Sequence, residues 1–183
     1  PASAVADLWA NLMSELGYER FAAAGGDIGS GVTLALARQY PDRVSGIHLT
    51  DVGYPTGQEE NLSQAEQEFA QFIQGWWFRE GAYAMLQATK PQSIAFSLND
   101  SPVGLAAWIL SMISTGAGAE TLDNGVEAAF GGREELLTNI MLYWVTETAG
   151  SAARMYLAEA QAAWGGAATN NGRSDVPAAF ALF

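Results

Sequence analysis

Residues 21–30 read Phe21-Ala22-Ala23-Ala24-Gly25-Gly26-Asp27-Ile28-Gly29-Ser30. A short apolar run ends in two glycines, one aspartate stands alone, and a helix-like stretch over 30–40 follows. The order is strand, sharp turn, helix, with a single polar reactive side chain at the tip. Gly25 and Gly29 are expected to permit the tight turn and a close approach of strand and helix. The backbone N–H groups after Asp27 then lie at a helix N-terminus, where they stabilise a carboxylate and developing negative charge. A carboxylate so placed can attack carbon and form an ester, so Asp27 is the candidate nucleophile. The competing reading is a turn aspartate that bonds its own backbone.

On either side the pattern is that of a layered α/β chain. Leu8, Leu12 and Leu16 recur at helical spacing, with Trp9 and Met13 widening the stripe and Gly17 closing the helix. Residues 20–24 read as a strand, 32–38 as an apolar helix stopped before Pro41, and 44–49 as a second buried strand. Strand, helix and strand over this length imply a right-handed parallel crossover. The character changes after Asp51, where Gly53, Tyr54, Pro55 and Gly57 mark a boundary.

The following stretch is helical. Ser63-Gln64-Ala65-Glu66 has the capping-box pattern and opens a helix through Phe69, Phe72 and Ile73. Trp76, Trp77 and Phe78 form an aromatic cluster, and 81–89 reads as a helix ended by Lys90-Pro91. Ser101 before Pro102 is an N-cap with proline at the first helical position. The glycine-rich stretch 116–132 reads as loop. In 134–148, Leu136, Leu137, Ile140, Met141, Trp144 and Val145 share one helix face. Gly150-Ser151 reads as a break before a last helix over 152–164, a polar loop over 165–175 and a strand over 176–183. The chain is therefore read as core over 1–53, helical cap over 54–165 and a return to the core over 166–183. Such a cap would enclose a water-poor pocket over the carboxyl ends of parallel strands.

Composition narrows the partners. The 183 residues are 49% hydrophobic, ample for a folded core. Only 15% are charged, against about 25% in an ordinary domain, which points to surface buried against something else. A net charge of −12 makes nucleic acid and anionic membranes poor partners, because phosphates are repelled. There is no cysteine and one histidine, His48, so thiolate sites and the usual zinc clusters are excluded. No metal or cofactor is expected. The uncharged run 102–119 nearly spans a bilayer in length, but Ser111, Ser114, Thr115, Gly116 and Gly118 interrupt it. It reads as a buried helix, and the N-terminus has no signal-peptide pattern. No membrane segment and a soluble, cytoplasmic chain are expected.

The Gly-x-Asp-x-Gly turn resembles the nucleophile elbow of the α/β-hydrolase fold, with aspartate in place of serine. Three longer blocks make the resemblance specific: Thr89-Lys90-Pro91, Asn99-Asp100-Ser101-Pro102-Val103-Gly104-Leu105 and Met141-Leu142-Tyr143-Trp144. With Gly25-Gly26-Asp27-Ile28-Gly29-Ser30, the chain closely resembles epoxide hydrolases of the microsomal and juvenile-hormone type over essentially its whole length. The resemblance implies an α/β-hydrolase fold, a parallel sheet with flanking helices, carrying an inserted all-helical cap. It implies that Asp27 opens an epoxide through an alkyl-enzyme ester and that the backbone N–H of Ile28 is an oxyanion-hole donor. Tyr83 and Tyr156 match the two cap tyrosines that hold the epoxide oxygen and donate a proton to it. On position alone, both tyrosines read as amphipathic aromatics packed on a helix face. The implied substrate is a small apolar epoxide, with no cofactor, and a homodimer is possible in such a family.

The match is incomplete. The family's water-activating histidine follows Gly-Gly-His, its acid lies beyond the strand that 176–183 would form, and a His-Gly-x-Pro segment supplies a second oxyanion donor; none of these has a counterpart here. The expectation is the middle of a longer enzyme, with both terminal parts of the fold missing. His48 reads as a hydrogen-bonded core histidine rather than a base. Two other readings stand beside this one. A haloalkane dehalogenase also uses an elbow aspartate, but its halide calls for tryptophan or asparagine N–H donors rather than two phenols. A non-catalytic binding domain would keep fold and pocket without the histidine.

Overall fold

The protein is described by a computed structural model covering residues 1–51, 53–54, 56–116, 121–164 and 173–181, with side chains at 114–116 left aside. It divides into two compact units, Pro1–Gln74 with Ala162–Phe183, and Gly75–Gln161.

The first unit holds a parallel sheet in the order β1-β2-β3, from Phe21–Gly25, Val44–Leu49 and Ala178–Phe180. Ala24 stands beside His48 and Gly25 beside Leu49, while Leu49 also stands beside Phe180. Two helices, α1 (Ala2–Glu15) and α2 (Ile28–Gln39), pack together, and α2 contacts both β1 and β2. The core is Ala6 and Ala10 of α1, Val32, Leu36 and Ala37 of α2, Val44, Ile47 and Leu49 of β2, and Val176. The expected Leu8–Leu12–Leu16 stripe is not the core face: Leu8 is 67% and Leu16 60% exposed, and Trp9 and Leu12 are exposed too. Alanines at i and i+4 bring the α1 backbone close to its neighbours, and that contact outweighs the larger but outward-facing leucines. Arg43 fastens the end of α1 to the sheet. Its guanidinium donates to the carbonyls of Ala10 (3.1 Å), Tyr18 (3.2 Å) and Glu19 (3.2 Å), and it lies over the Phe21 ring.

The capping box forms as expected at the start of α3 (Gln64–Glu80). The Ser63 hydroxyl accepts from the Glu66 N–H at 3.3 Å, and Glu66 Oε2 accepts from the Ser63 N–H at 2.7 Å.

The second unit is helical. After the end of α3 come α4 (Ala82–Thr89), α5 (Pro91–Asp100), α6 (Pro102–Gly116), α7 (Leu122–Phe130), α8 (Arg133–Thr146) and α9 (Ala149–Trp164). Its core joins Leu98 of α5, Leu105 of α6, Val126 of α7, Leu136 and Ile140 of α8, and Ala149 of α9. Ser101 caps α6, its hydroxyl accepting from Gly104 N–H at 3.0 Å. Among the described residues no helix is long and apolar enough to cross a membrane. Of the α8 face, Leu136 and Ile140 are buried, but Leu137, Met141 and Val145 are exposed.

Three elements depart from expectation. The stretch 91–100 is a helix, because Pro91 ends α4 and also supplies the first residue of α5. The expected loop contains α7. Thr121 Oγ1 accepts from Asn124 N–H at 3.2 Å, Asp123 sits in the first turn, and Gly131 closes the helix at φ 77°. The break lies not at Gly150-Ser151 but at Glu147, whose φ is 55°. Gly150 is buried inside α9, where a Cβ would stand 2.9 Å from that of Ala95 on α5. It is a packing glycine, not a terminator. Residues 165–172, part of the expected polar loop, and residues 182–183 of the last expected strand lie outside the described residues.

Candidate active site

Asp27 is the N-cap residue of α2, with φ 51° and ψ −127°, a conformation that only glycine adopts readily. β1 delivers the chain to the turn and α2 takes it away, so the aspartate projects between two anchored elements. It is exposed and makes no capping hydrogen bond, unlike a turn aspartate that bonds its own helix. Its carbonyl accepts from Ser30 N–H at 3.0 Å, and the buried Ser30 donates its hydroxyl to Gly25 O at 3.2 Å. Thr50 N–H reaches the same Gly25 carbonyl at 3.1 Å. The turn is thus held from both flanking elements.

Two glycines make this geometry possible. A Cβ on Gly25 would collide with the Gly29 carbonyl, and one on Gly26 with the Thr50 hydroxyl. Gly29 itself faces open space. The expectation for Gly29 is therefore corrected: its carbonyl makes the close approach, and the absent side chain that matters is that of Gly25. Ile28 is the first residue of α2 and half-buried, so its N–H has no intrahelical acceptor.

Tyr83 on α4 and Tyr156 on α9 stand in the second unit. Their rings meet edge to face, with centroids 6.3 Å apart. Both line a cavity of about 530 Å³, within the range of ligand sites. Trp76 of α3, Leu86 of α4, and Trp108 and Met112 of α6 supply its apolar wall, with Glu80 and Ser111 as further polar lining. Two residues 73 positions apart are thereby brought into one pocket, which a packed-aromatic reading of each alone does not anticipate.

For Trp76, as for Trp77, the sequence leaves pocket lining and aromatic core packing both open, while Trp108 reads only as part of a buried helix. One signal was available: Trp76 and Glu80 lie four apart on α3, and Trp108, Ser111 and Met112 lie three and four apart on α6. Each set therefore falls on one helix face. His48 is exposed on β2, beside Ala24, and is not the core histidine its strand suggested. Its position on the pleat points away from the buried Ile47 and Leu49.

The comparisons agree with the architecture. Residues 2–162 match the family model described as alpha/beta hydrolase fold. A protein from Stigmatella aurantiaca (strain DW4/3-1), assigned by its name to the epoxide hydrolases, is 37% identical over 98% of this chain. Epoxide hydrolase 1 of Sus scrofa is 36% identical over 84% of it. The crystal structure of juvenile hormone epoxide hydrolase from the silkworm Bombyx mori superposes with a TM-score of 0.73 at 27% identity over 99% of the chain. The chain spans 39% and 38% of the length of the first two relatives and 40% of the silkworm protein. With a matched family model, a parallel sheet and a strained strand-to-helix turn, the chain belongs to the alpha/beta hydrolase fold family.

Proposed function

We propose that this chain carries the nucleophile and the acid tyrosines of an epoxide hydrolase acting on a small apolar epoxide. An Asp27 carboxylate oxygen forms a bond to a ring carbon while that carbon's bond to the epoxide oxygen breaks. The oxygen leaves as an alkoxide and takes a phenol proton from Tyr83 or Tyr156, because water is scarce as a proton source in an apolar pocket. The product is a β-hydroxyalkyl ester on Asp27. Water attack at its carbonyl would place negative charge on the carbonyl oxygen, which the Ile28 N–H is assigned to stabilise. In this reading 54–165 serve as the cap and 1–53 with 166–183 as the core. No residue of this chain is assigned as the base that activates water.

The observation that carries the reading is the pairing of Tyr83 and Tyr156 in one pocket, rings 6.3 Å apart. Two adjacent phenols suit an epoxide oxygen, which accepts two hydrogen bonds, better than they suit a halide. The names of the relatives support the same chemistry.

Exposure to an aryl epoxide, followed by intact-mass measurement and peptide mapping, tests it. The expected result is one adduct on Asp27, absent in Asp27→Asn and slowed at least tenfold in Tyr83→Phe or Tyr156→Phe. An adduct elsewhere, or rates unchanged by both tyrosine variants, would overturn the assignment.

A further inference from the structure

Tyr83 and Tyr156 stand on helices far apart in the chain, yet both helices are tied to α5. Lys90 alone joins α4 to α5, capping the end of one and the start of the other at φ −137° and ψ 47°. Its N–H donates to the Leu86 carbonyl at 2.8 Å, and buried Pro91 opens α5 with a ring-fixed φ. A joint of one residue leaves α4, and Tyr83 with it, little freedom to swing against α5. The start of α9 is clasped by the same helix. Buried Gly150 lies so near α5 that a Cβ there would stand 2.9 Å from the Ala95 Cβ and 3.8 Å from Asn99 Nδ2. Asn99, one turn beyond Ala95, donates that amide to the Glu147 carbonyl at 3.2 Å. Glu147 is the left-handed residue on which α8 ends, just before α9 begins. A methyl against a bare Cα has no rotamer with which to give way, so this contact is stiff.

We propose that this clasp sets the separation of the two tyrosine rings, and that Gly150 and Asn99 are positioning residues acting through Tyr156. The inference rests on the reading that both phenols hold one epoxide oxygen, and it deepens that reading by naming what holds the phenols in register. Tyr156 lies six residues along α9 from Gly150, about 9 Å of continuous helix, so a shift at the clasp is carried to it. The tolerance is narrow. Hydroxyl hydrogen bonds span about 2.5–3.0 Å, so two phenols serve one oxygen only while α4 and α9 keep their spacing to about 0.5 Å. A methyl on residue 150 must retreat from 2.9 Å to ordinary contact at 3.4 Å or more, which uses up that whole window. A misplacement of about 1 Å costs up to roughly 100-fold in rate.

Fluorotyrosine incorporated at position 83 of the full chain reports on the Tyr156 ring by fluorine NMR, because the ring current of an edge-to-face neighbour shifts its resonance. Tyr156→Leu gives the full size of that shift. Gly150→Ala is expected to move the resonance part of the way and to slow alkylation of Asp27 by saturating phenyloxirane about 3- to 30-fold. Adding Ala95→Gly, which removes the methyl that faces the new one, is expected to restore both. Asn99→Ala is expected to act in the same sense and less strongly, and it carries the test if Gly150→Ala fails to fold. Val126→Ala, in the core of the unit on α7 and outside the clasp, is expected to lower the melting temperature without moving the resonance. The proposal is overturned by a resonance indifferent to Gly150→Ala, or to Asn99→Ala where Gly150→Ala does not fold. A shift that Ala95→Gly does not reverse, or that Val126→Ala matches, overturns it as well, and so does a shift with no change in alkylation rate. The two readings fail separately. A parent that forms no Asp27 adduct, while its resonance still answers to Gly150→Ala and is restored by Ala95→Gly, sinks the reaction and leaves the clasp standing.

Discussion

Asp27 holds a backbone conformation that costs a non-glycine residue roughly 1–3 kcal/mol, and it keeps it because β1, α2 and Thr50 fix the turn around it. Strain stored at a reactive residue should be recoverable by substitution. Asp27→Gly is expected to raise the melting temperature by about 2–4 °C while abolishing alkylation, read by calorimetry and intact mass on the same sample. A melting temperature that falls would mean that the turn is not strained at this residue. The glycines around it separate cleanly. Gly25→Ala drives a methyl into the Gly29 carbonyl and is expected to cost about 3 kcal/mol. Gly29→Ala enters open space inside a helix and is expected to be neutral or stabilising by up to about 1 kcal/mol. Urea denaturation of the two variants side by side decides this. The aspartate and the glycine count were legible in the sequence, but which glycine the turn requires was not. That depends on where a carbonyl four residues away comes to rest.

At the scale of elements, two carboxylates fasten the loop before α3 and its first turn. Hydrogen bonds from Thr56 N–H, from the Thr56 hydroxyl and from Gly57 N–H hold the Glu59 carboxyl at about 2, against its ordinary 4.5. The Ser63 hydroxyl and N–H hold Glu66 below its ordinary value as well. Both are depressed in the folded state, so their contribution is complete above the unfolded value of 4.5. It is lost as pH falls through the folded value, for Glu59 in the window from about 4.5 to about 2. The protection of amides in residues 56–67, taken relative to their intrinsic exchange rates, is expected to fall across that window, and Glu59→Gln together with Glu66→Gln to flatten the dependence. The capping box was readable because it is local: its four residues meet in any helix they begin. The glycines of this stretch hide α7 in the sequence, although Thr121, Asp123 and Gly131 are start and stop signals at the right spacing. The packing role of Gly150 is not legible in the sequence, because nothing in the chain near it announces Ala95.

Over the whole molecule, apolar side chains remain in contact with solvent. On α1 these are Leu8, Trp9, Leu12 and Leu16, and in the helical unit Phe78 is 92% and Val103 77% exposed. Few charges separate them, at 15% of residues. Faces of this kind associate unless covered. The chain is expected to self-associate with rising concentration in sedimentation velocity, and Leu8→Glu with Leu12→Glu to shift it towards monomer without loss of helicity. Concentration-independent monomers of the parent chain would count against this. The low charged fraction already implied covered surface, but not which surface: the leucine stripe was expected to be the core face, and the alanines took that place.

By itself the sequence determined what depends on neighbours along the chain: the strand–turn–helix around Asp27, the capping box, the cap at Ser101, and the family to which these motifs point. Hydrogen bonds and periodic patterns over a few residues suffice for these. Tertiary structure alone decided which glycines are indispensable, which side of α1 is buried, and that Tyr83, Tyr156 and two tryptophans line one cavity. Those outcomes rest on contacts between residues far apart in the chain, where close packing selects one arrangement among many that share the same local pattern.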